Sequence, residues 1–365
     1  MRDEPFADRC RQAGAAAPSL GAAALLASDP ATVRWLTGRQ AEIEFGPPYP
    51  IWAGTFVLLY PDGTGRIICN ADEVAAGPPV SGLEVIPYEA YTLGELRPLA
   101  NAAAAFGHAA PLAVEPHALP LAMADGRPWI DATAALRALR VHKDASSRER
   151  IARTAVIVSA GQRAFRDVAE PGLREIEVFS AVHAAMEREA GTRVPVLPDL
   201  LSGERLAEVG QPPTDRVMGR DELALCDLAA RHDGYWADSC TTICLGTPTR
   251  EMVRLHDACC RALDAAIAAA RPGTIAGDLD SLARGIMAGA GYSYPHHTGH
   301  AVGVMYHEEP RIVPGATAAL EEGMIIALEP AGFGNGIGCR VEHLVEVTPS
   351  GGRVITDYDT SLERR

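Results

Sequence analysis

The sequence predicts an α/β N-terminal domain over residues 1–142 and an α+β C-terminal domain over residues 143–365. Three observations carry that reading. A chain of 365 residues is longer than one hydrophobic core ordinarily serves. The first half alternates short apolar runs with turn signals. The second half strings helical periodicities around two hydrophobic β segments, each centred on a hairpin dipeptide.

Taken in order, Ala31 to Gly38 (ATVRWLTG) and Trp52 to Tyr60 (WAGTFVLLY) read as strands. Tyr60-Pro61-Asp62-Gly63 is a turn, and Gly65 to Asn70 (GRIICN) the return strand. Gly46 to Pro50 (GPPYP) is a rigid loop, and Asp131 to Arg140 a short helix that closes the domain. Trp35, Phe45 and Trp52 read as core. The boundary falls in Val141 to Ser147 (VHKDASS), where Ser146 and Glu149 have capping-box spacing. Ile151, Ala155, Val158, Phe165 and Val168 then mark one face of a helix stopped by Pro171-Gly172. Ile176, Phe179, Val182 and Met186 mark a second, ended by Gly191. A third runs from about Glu251 to Ala270, and a fourth from about Asp278 to Ala290, before Gly291.

Composition excludes several classes. The net charge of −14 repels phosphate backbones, which argues against nucleic-acid binding. No stretch approaches the roughly 20 apolar residues of a membrane span. MRDEPFADRC lacks the basic and apolar regions of a signal peptide. The eight cysteines form no Cys-x-x-Cys pair and read as reduced core residues. These features point to a cytoplasmic protein without membrane or nucleic-acid partners.

The two β segments collect acids. In Glu222 to Leu245, Asp233-Gly234 is a strong hairpin signal. A turn centred there pairs residues whose numbers sum to 467, so Asp227 faces Cys240. Asp238 then lies diagonally from Asp227 on the same face, roughly 7 Å away at Cα. In Gly323 to Val347, a turn at Asn335-Gly336 gives pairs summing to 671 and sets Glu329 opposite Glu342. Apolar runs lead directly into Asp227 (LALC) and Glu329 (MIIAL). An acid in that position is costly unless it is paired or bound to a metal.

Between the hairpins lies His296-His297-Thr298-Gly299-His300, followed by His307-Glu308-Glu309-Pro310. Imidazole is both a metal ligand and a proton carrier near neutral pH. Four carboxylates and one histidine favour two divalent ions such as Mn²⁺, Fe²⁺, Co²⁺ or Zn²⁺. Two metals roughly 3.5–4 Å apart can share a hydroxide and polarise a carbonyl.

These residues are similar to those of the pita-bread-fold metallopeptidases, which include Xaa-Pro aminopeptidase, Xaa-Pro dipeptidase (prolidase) and methionine aminopeptidase. Metal-free creatinase shares the fold. The resemblance covers about residues 145–350 and, through weaker features such as Trp35-Leu36-Thr37-Gly38, extends to the creatinase-like N-terminal domain. Asp227 and Asp238 have the separation of the family's paired aspartates. HHTGHAVGVMYHEEP, from His296 to Pro310, matches His-x-Thr-Gly-His-x-x-Gly-x-x-x-His-Glu-x-Pro. Gly323 to Pro330 matches Gly-Met-x-x-x-x-Glu-Pro, and Arg340-Val341-Glu342 matches Arg-x-Glu.

The resemblance implies an α+β pita-bread catalytic domain behind an accessory domain. It implies Asp227, Asp238, His300, Glu329 and Glu342 as ligands of two metal ions, Mn²⁺ foremost. Glu329 would also shuttle the proton. His296 and His307 would contact substrate and the oxyanion, and Arg340 would hold a carboxylate ligand or the substrate terminus. The implied activity is hydrolysis of Xaa-Pro bonds in short peptides by a homodimer, through a hydroxide held between the metals. Two departures concern the pocket. Gly210 stands where the family carries a substrate-contacting histidine, and Asp238-Ser239-Cys240-Thr241-Thr242 replaces Asp-x-Thr-Arg-Thr. The first favours, as the alternative, a creatinase-like hydrolase of a small amide or amidine.

Overall fold

The computed structural model describes residues 5–39, 54–71, 74–75, 77–88, 104, 106–107, 110–123, 126–334 and 336–364. The chain divides into two compact units, Met1–Arg140 and Val141–Arg365. The expected Gly46–Pro50 loop, Phe45 and Trp52 lie outside the described residues.

The first unit begins with helix α1 (Phe6–Ala16) and strand β1 (Ala24–Ala27). Ala31–Gly38, expected as a strand, is instead helix α2 (Pro30–Thr37). Asp29 caps it, its side chain accepting from the backbone N–H of Ala31 and Thr32, while Pro30 supplies a preset φ. Gly38 closes it at φ 69°. These end signals outweigh the strand preference of Thr32, Val33 and Trp35. Trp35 is buried as expected, with the Arg9 guanidinium over its ring.

Strands β2 (Phe56–Leu59) and β3 (Gly65–Asn70) form the anticipated hairpin, pairing Phe56 with Ile68 and Leu59 with Gly65. Gly63 takes φ 82°, and the Asp62 carboxylate accepts from the Thr64 N–H and hydroxyl. Strands β4 (Leu83–Tyr88), β5 (Leu112–Val114) and β6 (Trp129–Asp131) complete a mixed sheet of order β4-β3-β2-β1-β5-β6. Its core joins Leu26, Phe56, Leu58, Ile68, Phe106 and Leu112. Helix α3 (Thr133–Val141) follows, close to the expected span.

The second unit opens with α4 (Ala145–Val168), capped by Asp144 rather than by the expected Ser146. The Asp144 carboxylate accepts from the Ser147 N–H at 2.8 Å, so the cap lies two residues earlier. Helix α5 (Glu175–Ala190) ends at Gly191, φ 72°. Strand β7 (Val196–Ser202) pairs with β8 (Leu223–His232), which also pairs with β9 (Tyr235–Ala237) and β10 (Cys240–Cys244). Helices α6 (Arg250–Ala269) and α7 (Ala276–Gly289) follow.

Strands β11 (Gly299–Ala301), β12 (Glu308–Ile312), β13 (Ile325–Leu328), β16 (His343–Thr348) and β17 (Gly351–Val354) form a second sheet of order β12-β11-β13-β16-β17. Between β13 and β16, β14 (Ala331–Gly334) and β15 (Ile337–Arg340) make a separate ribbon. The apolar faces of α6 and α7, through Leu255, Cys259, Ala262, Leu279, Ala283 and Met287, share one core with Ile326, Leu328 and Val345. Alanine and cysteine at these positions let the helices lie close to the sheet.

Candidate metal centre and active site

The first hairpin folds as its turn dictates. Asp233 and Gly234 both take positive φ, 49° and 79°, the requirement of a two-residue turn that follows strand twist. The predicted register holds from His232 opposite Tyr235, through Asp227 opposite Cys240, to Leu223 opposite Cys244. Gln162 of α4 staples the strands beside both aspartates. Its amide donates to the carbonyls of Cys226 (3.1 Å) and Ser239 (2.9 Å) and accepts from the Thr241 hydroxyl (2.8 Å). Buried and bonded on both ends, this amide fixes the strands without an unsatisfied group.

The second hairpin keeps its predicted register from Gly334–Ile337 to Ala331–Arg340, and the Val341 N–H still reaches the Pro330 carbonyl at 3.4 Å. The ladder stops there, so Glu329 and Glu342 are not the cross-strand pair expected. Pro330 has no N–H to extend it. The Glu329 N–H instead donates to the Thr298 carbonyl (2.8 Å), and the Glu342 N–H to the Cys240 carbonyl (3.0 Å). Glu342 is thereby tied to the residue opposite Asp227. The Thr242 hydroxyl, bonded to both the N–H and the carbonyl of Arg340, ties the hairpins together a second time.

The histidine segment is anchored to α7. Arg284 binds Asp280 and donates to the carbonyls of Tyr294 and His296, while the Thr298 hydroxyl donates to Asp280 at 2.6 Å. On the far side, the buried Lys143–Glu308 pair (2.6 Å) holds the start of β12 beside His307. Glu308 also accepts from the Met305 N–H, which braces the turn before His307.

These supports bring the predicted residues together. Donor atoms of Asp227, Asp238 and Glu342 lie within 4.8 Å of one another, as do those of His297, His300 and His307. His300 Nε2 joins the groups, 3.5 Å from Asp238 and 3.6 Å from Glu329. His300 Nδ1 contacts the Ala301 carbonyl, which can only accept, so Nδ1 carries the proton and Nε2 presents a lone pair inward. His296 Nδ1 is 3.8 Å from Glu329, and the His307 ring lies 4.1 Å from that of His300. Arg340 pairs with Asp227 and donates to the Val209 carbonyl.

Burial sets the electrostatics. It pushes Asp227 and Glu342 well above the usual carboxylate range, and mutual repulsion, led in both cases by Asp238, pushes them further. Glu329 goes the other way. Burial alone would raise it, but the His297 hydrogen bond and the Arg340 charge hold it well below its ordinary value. Burial, followed by the Arg340 charge, lowers His296 to about 4; burial and neighbouring His300 lower His307 to about 3. Both imidazoles are therefore neutral at pH 7.

Whether this donor set suits metal ions can be tested on its unsatisfied atoms. Among the described residues, neither carboxylate oxygen of Glu342 nor Nε2 of His300, all buried, has a hydrogen-bond partner. Such atoms cost free energy unless a cation completes them. Four carboxylates and one imidazole fit divalent cations of hard-to-borderline character.

Sequence reasoning missed three residues. His297 donates from Nε2 to Glu329 at 2.7 Å; this tautomer follows because its Nδ1 accepts from Arg311 at 2.9 Å. Tyr306 stacks on His307 and tilts against Trp236. Asp199 of β7 is paired in register with Asp227. An acid inside the apolar-rich VLPDLLS segment was the available signal for Asp199. Other histidines serve elsewhere: His183 and His256 bond the carbonyls of Val194 and Thr360, and His343 faces Thr356 and Tyr358. His108 lies outside the described residues.

A buried cage of carboxylates and imidazoles, assembled from two hairpins inside an α+β unit that follows an α/β unit, is the arrangement of a two-domain pita-bread metallohydrolase. The chain belongs to metallopeptidase family M24, whose profile matches residues 149–349. It is 39% identical over 165 residues to the Xaa-Pro dipeptidase of Lactobacillus helveticus; that alignment covers 44% of this chain and 45% of the relative, about half of each. The structure resembles the prolidase of Pyrococcus horikoshii OT3 with a TM-score of 0.85, 23% identity and coverage of 97% and 99% of the two chains. It resembles dipeptidase PepE of Mycobacterium ulcerans with a TM-score of 0.81, 27% identity and coverage of 99% and 98%. The amide or amidine hydrolase alternative is not favoured by these relatives. Among the described residues, no helix is long and apolar enough to cross a membrane.

Proposed function

We propose that this chain is a dinuclear-metal peptidase cleaving Xaa-Pro bonds of short peptides, in the manner of a prolidase or aminopeptidase P. The observation that carries it is the convergence of five buried donors, two of them (Glu342 and His300) with atoms that no described residue satisfies. Asp227, Asp238, His300, Glu329 and Glu342 would hold the ions, with manganese the first to try. Residues 1–142 are read as the accessory domain and 143–365 as the catalytic one. The family resemblance supports a homodimer. The eight free cysteines and the acidic charge support a cytoplasmic setting.

When bound, the ions would polarise the scissile carbonyl and neutralise the four carboxylates. The chain's own residues do the rest. Glu329, held ionised by His297 and Arg340, takes the proton of the attacking water and returns it to the prolyl nitrogen as the C–N bond breaks. Neutral His307 presents an N–H donor toward the developing oxyanion, while His296, whose Nδ1–H is held by the His297 carbonyl at 2.7 Å, offers its Nε2 lone pair to a donor of the substrate. Arg340 fixes Asp227 and the Val209 loop, which sets one wall of the pocket.

A panel of Xaa-Pro dipeptides and Xaa-Pro-Yaa tripeptides, assayed with manganese-loaded protein, tests the proposal. Cleavage at the Xaa-Pro bond is the expected result, and the preferred length separates dipeptidase from aminopeptidase. Absence of cleavage of every prolyl substrate by protein shown to hold metal contradicts it.

A further inference from the structure

Strand β7 brings one more acid to the site. Asp199 is paired with Asp227 in the β7–β8 register, and directly paired residues project from the same face of a sheet. Its carboxylate therefore shares the face that carries the cage. It is half-buried. Among the described residues, no donor hydrogen-bonds it; burial pushes it up, the Arg340 charge pulls it down, and Asp238 and Glu329 push it up again.

Gly210 makes the room for this group. A Cβ at position 210 would collide with Asp199 Oδ2. Gly210 does not occupy the left-handed region, so the backbone itself would accept a side chain there. What the glycine accommodates is the Asp199 carboxylate. The preceding residue, Val209, offers its carbonyl to Arg340, so this loop borders the cage. The departure at Gly210 and the acid at Asp199 thus act as one change: a side chain is removed from the loop and an anion is supplied from the strand.

A half-buried carboxylate that no described donor completes can take a cationic partner. A short peptide carries the missing partner, either as its α-ammonium or as a lysine or arginine side chain.

We propose that Asp199 is a specificity-determining residue whose carboxylate, seated against Gly210, accepts a cationic group of the substrate. The inference rests on the reading of the chain as a peptidase of short peptides.

Calorimetry of the manganese-loaded protein with uncleavable ketomethylene isosteres of Lys-Pro, Ala-Pro and N-acetyl-Ala-Pro tests it. Asp199→Asn is expected to weaken binding about tenfold wherever the ligand supplies the cation, and to leave N-acetyl-Ala-Pro unchanged. A loss confined to Lys-Pro assigns the side chain; a loss shared by Lys-Pro and Ala-Pro assigns the α-ammonium. Gly210→Ala, which displaces the carboxylate, should reproduce the same pattern. Equal losses for all three ligands, no loss for any, or reduced metal content in Asp199→Asn overturns the assignment. Because binding is read without turnover, failure of the wild-type protein to cleave Xaa-Pro bonds would count against the proposed activity alone. The affinity pattern would still decide the role of Asp199.

Discussion

Asp227, midway along β8, and Glu329, just beyond β13, are both buried carboxylates, 6% and 5% exposed, yet their surroundings drive them in opposite directions. Asp227 sits among acids, with Asp238, Glu342 and Asp199 around it, and Arg340 only partly offsets their repulsion. Glu329 sits beside a donor, His297, and a cation, Arg340. Burial is the same, so the neighbours decide. One half of the site awaits a cation. The other already holds its carboxylate ionised, which is what a proton shuttle needs before substrate arrives. Under the proposed function, metal affinity would rest mainly on the acidic half and proton handling on the histidine half.

The largest expected effect comes from breaking the acidic half. Asp238→Ala removes the carboxylate that meets both Asp227 and His300. It should lower kcat/KM by at least about 10³-fold, because the several kcal/mol of charge stabilisation expected of the ions is lost. Metal analysis on the same sample should fall in parallel. A variant that lost activity with full metal content would place Asp238 on the wrong side of the comparison.

The next effect is on stability. Lys143→Met leaves Glu308 buried without its cation and should cost about 3–5 kcal/mol in urea denaturation. The histidine half, which that pair braces, should loosen before the acidic half does. Amide exchange slowing at Met305–His307 relative to Cys226–Leu228 would contradict this.

A smaller effect isolates the histidine half. His297→Ala takes the donor from Glu329 and should reduce kcat by about 10–100-fold with metal content nearly intact. The acid limb of the pH–rate profile should move upward, because Glu329 loses the partner that holds it low. Rescue of that limb by His297→Gln, whose amide can still donate, would separate hydrogen bonding from packing.

The smallest effect is in the pH dependence of stability, where the halves have opposite signs. His296 and His307 have folded pKa values of about 4 and 3, below the unfolded value near 6.5. Below pH 6.5 the unfolded chain binds more protons, so these histidines make stability fall as the pH drops toward 4. Asp227 and Glu342 have raised folded values, so the unfolded chain releases protons first as pH rises above about 4. Without metal, they therefore make stability fall with rising pH. Metal loading should remove the second slope and keep the first. Melting curves should show a Tm gain on loading that grows from pH 5 to pH 8; a gain independent of pH would contradict it.

How much of this was legible in the chain depends on how local the determinants are. The first hairpin could be read residue by residue because Asp233-Gly234 admits one tight turn and the register stays unshifted to Leu223 across the break at Asp238-Ser239. The second could be read only as far as Pro330, beyond which each strand takes a different partner. Ala31–Gly38 was misread because the Asp29-Pro30 start and Gly38 stop outrank β-branched content. His297 and Asp199 stayed hidden for a different reason. Their roles come from Arg311, Glu329 and Asp227, residues distant in sequence that only the folded sheets bring alongside.

The central claim is that Asp227, Asp238, His300, Glu329 and Glu342 form one cage for two divalent ions. Calorimetric titration of the metal-stripped protein with Mn²⁺, checked by elemental analysis, tests it most directly. The account predicts two ions per chain in the wild-type protein and at most one in Glu342→Ala. Wild-type protein that retains none, or a Glu342→Ala variant that retains both, would contradict it.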